Sequence, residues 1–204
     1  MVDRRQHWEK VYSSKATDQV SWFQPHAASS LRLIADCAGT DAHIIDVGGG
    51  ASVLVDDLLD AGYRNLTVLD LAESALAVSR ARLGARAQSV QWIAADVTRA
   101  DLPAARYDVW HDRAVFHFLT DPADRARYVD QVLKSVKPGG RVIIAAFGPG
   151  GPLQCSGLDV VRYAPDALHA EFGARFRLIG HETEIHRTPA GGEQEFVYCY
   201  CRRA

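Results

Sequence analysis

The hydrophobic positions of the chain follow two periodicities in turn, and this alternation predicts strands and helices. Ile44, Ile45 and Val47 form a short apolar run typical of a buried strand. From Ser52 onward the apolar positions recur at helical spacing, and Gly62 stands where a helix C-cap glycine would fall. Between the strand and the helix lie three consecutive glycines, which let the main chain turn tightly and leave room beside it for a ligand. A strand, a glycine turn and a helix together form the start of a nucleotide-binding α/β unit.

The same alternation continues through the rest of the chain. A helix is predicted from Pro122, with Asp121 as its N-cap, to a Lys-Pro-Gly-Gly turn at 137–140. Short strands alternating with amphipathic helices predict an α/β fold with a mostly parallel sheet, which two final strands close as an antiparallel hairpin. The other predicted elements are helices over 4–14, 31–39, 73–84 and 165–172 and strands over 66–70, 90–96, 107–113, 141–147, 176–185 and 195–201.

Three successive predicted strands end in an aspartate, namely Asp46, Asp70 and Asp96. The carboxyl ends of parallel strands lie on one edge of a sheet, where open α/β folds bind their ligands. Asp70 can accept hydrogen bonds from both hydroxyls of a ribose. As an alternative, it forms a capping box with Glu73 for the next helix. Asp96 is either a ligand contact or a turn-forming aspartate.

The glycine turn discriminates between two kinds of nucleotide cofactor. A dinucleotide fingerprint is Gly-x-Gly-x-x-Gly, whose small third position lets helix and strand pack closely. Gly48 and Gly50 match its first two positions, but Val53 stands at the third, and Asp46 lies two residues before the first glycine. An acid at this turn suits a cofactor that carries an amino group and no pyrophosphate. The pattern therefore disfavours a nicotinamide-dependent oxidoreductase, which is kept as an alternative.

The acid-x-Gly-x-Gly turn, the two later strand-end acids and the helix, Lys-Pro-Gly-Gly turn and strand resemble the motifs of class I S-adenosylmethionine (SAM) methyltransferases. The resemblance covers the chain from about Trp8 to the C-terminus. It implies a doubly wound, Rossmann-like, seven-stranded sheet, SAM as the cofactor and S-adenosylhomocysteine (SAH) as its product. The cofactor site that it implies comprises Asp46, Gly48, Gly50, Asp70, Asp96 and Val97, and the predicted cofactor-binding residues also include Trp22, Gly49, Leu71 and His111.

The end of the fourth strand is the predicted reaction edge. The N-terminal segments at 7–12 and 21–24 are similar to those of a branch that contains the endothelin-converting-enzyme-2-like and citrate-synthase-lysine methyltransferases. That branch typically has Asp-Lys-Gly-Thr after the fourth strand, whereas this chain has His-Asp-Arg-Ala at 111–114. The difference argues against specificity for protein lysine.

His111 and Asp112 are the candidate catalytic residues, as bases or substrate clamps. Because side chains alternate along a strand, only one of the two should reach the pocket. The alternative is a packed histidine beside an ion pair between Asp112 and Arg113. The candidate substrate-binding residues are Arg113, His117 and Cys155.

Composition limits the class of the protein. The chain has 204 residues, of which 48% are hydrophobic and 24% charged, and this predicts one globular domain over 1–204. Residues 1–27 are predicted to form an N-terminal helix and a cofactor-lid loop, and residues 28–204 the Rossmann-like core. In the loop, Trp22 either covers the cofactor pocket or tucks the loop against the body. The net charge of −2 gives no argument for a nucleic-acid or membrane partner.

Four cysteines are scattered along the chain without zinc-site spacing, so no metal is predicted. A cluster of Cys155 with Cys199 and Cys201 that binds a thiolate or a soft metalloid is one hypothesis, and three buried structural thiols are the other. The N-terminus lacks the features of a signal peptide, which predicts a cytoplasmic protein, as a monomer or homodimer.

The predicted reaction is transfer of the sulfonium methyl group of SAM to a nitrogen, oxygen, sulfur or metalloid acceptor. A small-molecule acceptor is preferred slightly over a protein lysine, because the post-strand motif of the lysine-modifying branch is altered. A non-catalytic SAM-fold binding module is the alternative from another functional class.

Overall fold

A computed structural model of the protein describes residues 3–14 and 16–204. The helices are α1 (Arg4–Ser14), α2 (Ala28–Ala35), α3 (Leu54–Asp60), α4 (Glu73–Leu83), α5 (Pro122–Ser135) and α6 (Pro165–Phe172). The strands are β1 (His43–Val47), β2 (Asn65–Asp70), β3 (Val90–Ala94), β4 (Tyr107–Arg113), β5 (Val136–Phe147), β6 (Gln154–Cys155), β7 (Leu158–Asp159), β8 (Phe176–Arg187) and β9 (Glu193–Arg203). Among the helices of these residues, none has the length and hydrophobicity that crossing a bilayer requires.

Seven strands form one sheet in the order β3-β2-β1-β4-β5-β9-β8. The pairs among β1 to β5 are parallel, while β9 runs antiparallel to both β5 and β8. This arrangement confirms the predicted doubly wound α/β fold with its C-terminal antiparallel hairpin. The strand order reverses between β1 and β4, and a crevice forms at such a switch point beyond the carboxyl ends of the strands.

The sheet is buried on both faces by helices. Ile45 and Val47 of β1 face one apolar layer, and Ile44 faces the other. All three side chains are almost fully buried, which explains why β1 reads as a continuous apolar run and not as an alternating one.

Three local details differ from the sequence-based expectations. The strand β5 begins at Val136, so the Lys-Pro-Gly-Gly segment is the start of the strand and not a separate turn before it. The small hairpin of β6 and β7 was not predicted, because each strand has two residues and carries no periodicity. Its two-residue loop, Ser156-Gly157, has φ of 52° and 77°, as a tight hairpin turn requires.

The third difference is the N-terminus of α4, where the predicted capping box of Asp70 and Glu73 is absent. Asp70 accepts a hydrogen bond from the backbone N–H of Ala72 instead. The cap comes from α1: the Glu9 carboxylate accepts the backbone N–H groups of Glu73 at 2.8 Å and Ser74 at 3.1 Å. A side chain 64 positions earlier thus satisfies the first free donors of the helix.

We expect Glu9→Ala to lower the free energy of unfolding by ~1 kcal/mol at pH 7, as the loss of a helix cap does. Hydrogen bonding with Ser74, chiefly, lowers the pKa of Glu9 from its usual 4.5. A lowered acid pKa contributes stability that is present above the unfolded pKa and lost as pH falls through the folded pKa. Denaturant unfolding should therefore show a wild-type advantage at pH 7 that shrinks below pH 4.5. Lys10→Ala, at an exposed position on the same helix, is the control; an equal loss in both variants would contradict the capping role.

Candidate active site

The glycine turn is shaped by the two carboxylates beside it. Gly48 and Gly50 have positive φ values of 72° and 21°, which L side chains rarely adopt. A Cβ atom at Gly49 would overlap the Asp46 carboxylate, and one at Gly50 would lie 2.5 Å from Asp70 Oδ2. The glycines are therefore required because strand-end acids pack directly against the main chain of the turn.

Two cavities meet at this turn. The larger cavity, of about 1070 Å³, lies over the carboxyl ends of β1 to β3, and the smaller one, of about 50 Å³, lies between the N-terminal loop and the turn. The predicted residues Asp70, Leu71, Asp96 and Val97 line the larger cavity, and Asp46, Gly49 and His111 line the smaller one. Four residues line both cavities: Tyr12, Trp22, Gly48 and Arg113.

Asp46 and His111 are neighbours in register on β1 and β4, and they form a buried hydrogen-bonded chain. Asp46 Oδ1 lies 2.7 Å from His111 Nδ1, and His111 Nε2 lies 2.8 Å from Ser30 Oγ. The Ser30 hydroxyl in turn lies 3.4 Å from that of Tyr198. Asp46 Oδ2 is buried with no hydrogen-bond partner among the described residues. Ser30 and Tyr198 were not identified by the sequence analysis, because no local motif links them to His111.

Asp112 lies on the opposite face of β4, as strand alternation predicted for one of the two candidates. It is fully buried and is not among the described residues that line either cavity. Its carboxylate accepts the backbone N–H groups of Val115 at 2.9 Å and Phe116 at 3.1 Å, and the Tyr128 hydroxyl at 2.6 Å. Burial raises the pKa of Asp112 to about 6. This placement corrects the assignment of Asp112 to the reaction edge: its carboxylate shapes the turn after β4.

Arg113 joins the N-terminal loop to the C-terminal hairpin. Its guanidinium donates to the Trp22 carbonyl, the Tyr198 hydroxyl and Glu184 Oε1, each at 3.2 Å, and lies 4.2 Å from the centroid of the Phe196 ring. The expected alternative, an ion pair with Asp112, is wrong because the two side chains leave β4 on opposite faces. Glu184 is a partner that the sequence analysis missed, since it lies 71 positions away.

Of the remaining two substrate candidates, one lines a cavity and the other does not. His117 is buried outside the described cavity linings, where its Nδ1 accepts the backbone N–H of Phe147 and burial lowers its pKa to about 3. Cys155 lines the larger cavity, and burial raises its pKa to about 11, so it is a neutral thiol. Cys199 and Cys201 belong to the apolar layer on the other face of the sheet. The hypothesis of a three-cysteine cluster is therefore wrong.

Asp70 and Asp96 differ in how they use their oxygens. Burial, chiefly, raises the pKa of Asp70 to about 7, with a further contribution from Asp46. Asp96 Oδ1 accepts both the backbone N–H and the hydroxyl of Thr98, at 2.9 and 2.8 Å. Asp96 is therefore a turn-forming aspartate, as the alternative interpretation of the sequence had it. It also lines the larger cavity.

Comparison with known proteins identifies a domain within the chain. Residues 44–140, which run from the second residue of β1 into β5 and include the glycine turn, match the family described as methyltransferase domain. The chain carries a methyltransferase domain. SAM, the cofactor expected from the sequence, is named in the descriptions of solved methyltransferases that share this fold.

Relatives of several kinds share this domain. The ubiquinone biosynthesis O-methyltransferase of Aromatoleum aromaticum is 31% identical over 135 residues, which are 64% of this chain and 56% of that protein. The eEF1A lysine and N-terminal methyltransferase of Bos taurus is 24% identical over 190 residues, or 92% of this chain and 25% of that protein. The chain thus spans a quarter or less of the eEF1A methyltransferases that it matches, 19% of the one from Mus musculus.

Solved structures agree in fold at low identity. The structure entitled "Conversion of a Disulfide Bond into a Thioacetal Group during Echinomycin Biosynthesis" has a TM-score of 0.77 at 18% identity, covering 98% of this chain and 92% of that one. The Burkholderia thailandensis 1,6-didemethyltoxoflavin-N1-methyltransferase, crystallised with SAH, has a TM-score of 0.68 at 21% identity, covering 98% and 84%. At these identities the likeness concerns the fold alone.

We expect Asp112→Ala to destabilise the protein by ~3 kcal/mol, because it leaves two backbone N–H groups and the Tyr128 hydroxyl buried without partners. Denaturant unfolding measures this loss, with the exposed Asp101→Ala as a matched control. If the variant kept wild-type stability and lost turnover, the result would support a catalytic role for Asp112 instead.

Proposed function

We propose that the protein transfers the methyl group of SAM to a small-molecule nucleophile. The observation that carries the proposal is the convergence of three strand-end acids, Asp46, Asp70 and Asp96, on two cavities that meet at a glycine turn. A larger cavity of about 1070 Å³ has room for a nucleoside together with an acceptor.

The residues present fit SAM in charge and in hydrogen-bonding capacity. In the larger cavity, Asp70 would accept the ribose hydroxyls, and Leu71, Asp96 and Val97 would hold the adenine. In the smaller cavity, Asp46 Oδ2 is a buried acceptor without a partner, and the amino group of the methionine moiety would supply the missing donors. Gly48 and Gly49 leave the main chain bare where the cofactor would pass, whereas the predicted contact Gly50 lines neither cavity and makes room for the Asp70 carboxylate.

The side chains of the site would bind and orient the reactants and exclude water. SAM would supply an electrophilic methyl group, which passes in line to a nucleophile as the neutral thioether SAH leaves. Alignment of donor and acceptor in a dry pocket can account for roughly 7–11 kcal/mol of such a barrier. His111 holds the Asp46 carboxylate in place, because both of its ring nitrogens are engaged. Its role is therefore positioning of the cofactor, and not removal of a proton from the acceptor.

The N-terminal loop closes the site. Arg113 binds the Trp22 carbonyl, and Gln24 donates to Glu184 at 3.1 Å, so the loop is fastened to β4 and β8. Of the two roles expected for Trp22, covering the cofactor pocket or packing the loop against the body, we assign it the first. Arg113 and Cys155 line the larger cavity and would contact the acceptor, whereas His117 would not.

Two observations bear on the acceptor. Relatives include both small-molecule methyltransferases and a protein-lysine methyltransferase, so they leave the preference open. Tyr12 and Trp22 line both cavities, so their side chains narrow the site where the cavities meet, which favours a small-molecule acceptor. A protein lysine is the second candidate, and a cytoplasmic monomer or homodimer remains the expected form.

Calorimetric titration with SAM, SAH and NADH tests the cofactor assignment. We expect micromolar binding of SAM and SAH and no binding of NADH, followed by loss of SAM methyl when thiols, amines or lysine peptides are offered as acceptors. Binding of NADH alone would favour the oxidoreductase. Binding of SAM without turnover on any acceptor class would favour the non-catalytic module.

We expect Asp70→Ala to weaken SAM binding at least tenfold, because a ribose would lose its paired acceptor. The pKa of Asp70 is raised to about 7, and only the ionised carboxylate accepts from both hydroxyls. Affinity of the wild type should therefore rise about eightfold between pH 6 and pH 7.5, as the ionised fraction grows. Asp70→Asn should remove this pH dependence, and calorimetry over the same range measures both effects. Unchanged affinity in Asp70→Ala would exclude the ribose contact.

A further inference from the structure

Four aromatic side chains form a contiguous cluster on the wall of the larger cavity. Trp8 and Tyr12 come from α1, Trp22 from the N-terminal loop and Phe118 from the turn after β4; we call these four residues the aromatic enclosure. The Trp8 ring lies 5.6 Å from Trp22, 5.1 Å from Phe118 and 6.2 Å from Tyr12, between centroids. Trp22 stands nearly perpendicular to both Trp8 and Tyr12, at 80° and 75°. The rings thus form a corner and not a flat stack.

The enclosure lies where the two halves of SAM would join. Tyr12 and Trp22 are two of the four residues that line both cavities, the others being Gly48 and Arg113. The sulfonium links the ribose, assigned to the larger cavity, to the methionine moiety, assigned to the smaller one. The junction of the cavities is therefore the place of the sulfonium, and this step rests on the proposed function.

The charged groups around the junction are compatible with a bound cation. Arg113, the cation that lines it, is paired with Glu184 and directed to the Trp22 carbonyl. Asp46 and Asp70 lie on either side, and burial together with Asp70 raises the pKa of Tyr12 above its usual value, so the phenol stays neutral. Neutral aromatic faces attract an onium ion through their quadrupoles, and most strongly where water is excluded.

We propose that Trp8, Tyr12 and Trp22 select the cofactor by its charge, holding the cationic sulfonium of SAM in preference to the neutral thioether of SAH. The rings are held for this task by hydrogen bonds from neighbouring elements of the fold. Glu9 fixes α1 to the N-terminus of α4, and Arg113 binds the main chain of Trp22. The enclosure would thereby favour release of the spent cofactor after each transfer.

Titration of SAM and SAH against matched variants tests the charge selection. In Trp22→Leu and Tyr12→Leu we expect SAM affinity to fall about threefold to thirtyfold more than SAH affinity, the range of a cation–π contact. Tyr12→Phe keeps a ring and should keep the ratio of the two affinities. Trp92→Leu, which removes a half-buried indole on β3 outside both linings, should change neither affinity.

A second measurement needs no leucine variant, so it tests the proposal even if those variants fail to fold. Replacing all four tryptophans with fluorinated tryptophan weakens the quadrupole of each ring and keeps its shape. We expect SAM affinity to fall with the degree of fluorination while SAH affinity stays constant, which a purely structural role of the rings would not produce.

The outcomes separate this inference from the proposed function. Equal losses of SAM and SAH affinity in the leucine variants would overturn charge selection. So would a SAM affinity that does not change with fluorination. In both cases SAM would remain the cofactor. A wild-type protein that binds neither SAM nor SAH would overturn both.

Discussion

The close approach of two carboxylates to bare main chain is the constraint on which the site depends. Asp46 and Asp70 lie at the carboxyl ends of adjacent parallel strands, and the glycine turn passes so near them that a Cβ atom at Gly49 or Gly50 would collide with an acid. Glycine is thus needed for space as well as for the positive φ at Gly48 and Gly50. The turn directs the chain into α3, and the crevice beside it becomes the meeting point of both cavities.

Features that depend on local pattern were predictable from the sequence. Apolar runs placed β1 to β4, the turn chemistry placed Asp121 at the start of α5, and the acids at strand ends followed from the rule that ligands bind at that edge. Alternation along β4 also predicted that His111 and Asp112 would diverge. It did not say which would face the cavity, because that depends on the register between β4 and β1, where His111 pairs with Asp46.

Features that depend on long-range contacts were not predictable. Ser30 meets His111 across 81 positions, Tyr198 meets Arg113 across 85, and Glu9 caps α4 across 64. Each of these partners is a common polar residue on a helix or strand, with no spacing that marks it. The sequence suggested a capping box at Asp70 and Glu73 because that pattern is local; α1, folding back over the sheet edge, supplies a carboxylate in its place.

The hydrogen bonds from Arg113 to Asp46 run in one direction, which limits what the site can bind. Arg113 only donates, so the Tyr198 oxygen accepts from it, and the Tyr198 hydroxyl hydrogen is then available to Ser30. Ser30 can donate to His111 Nε2, which leaves Nδ1–H to donate to Asp46 Oδ1. Every proton on this path points toward Asp46, and the path ends at Oδ1. The other carboxylate oxygen, Oδ2, has lone pairs and no donor among the described residues. A group that brings its own protons, as an ammonium does, completes this arrangement, whereas a carboxylate or phosphate would leave Oδ2 facing a like charge.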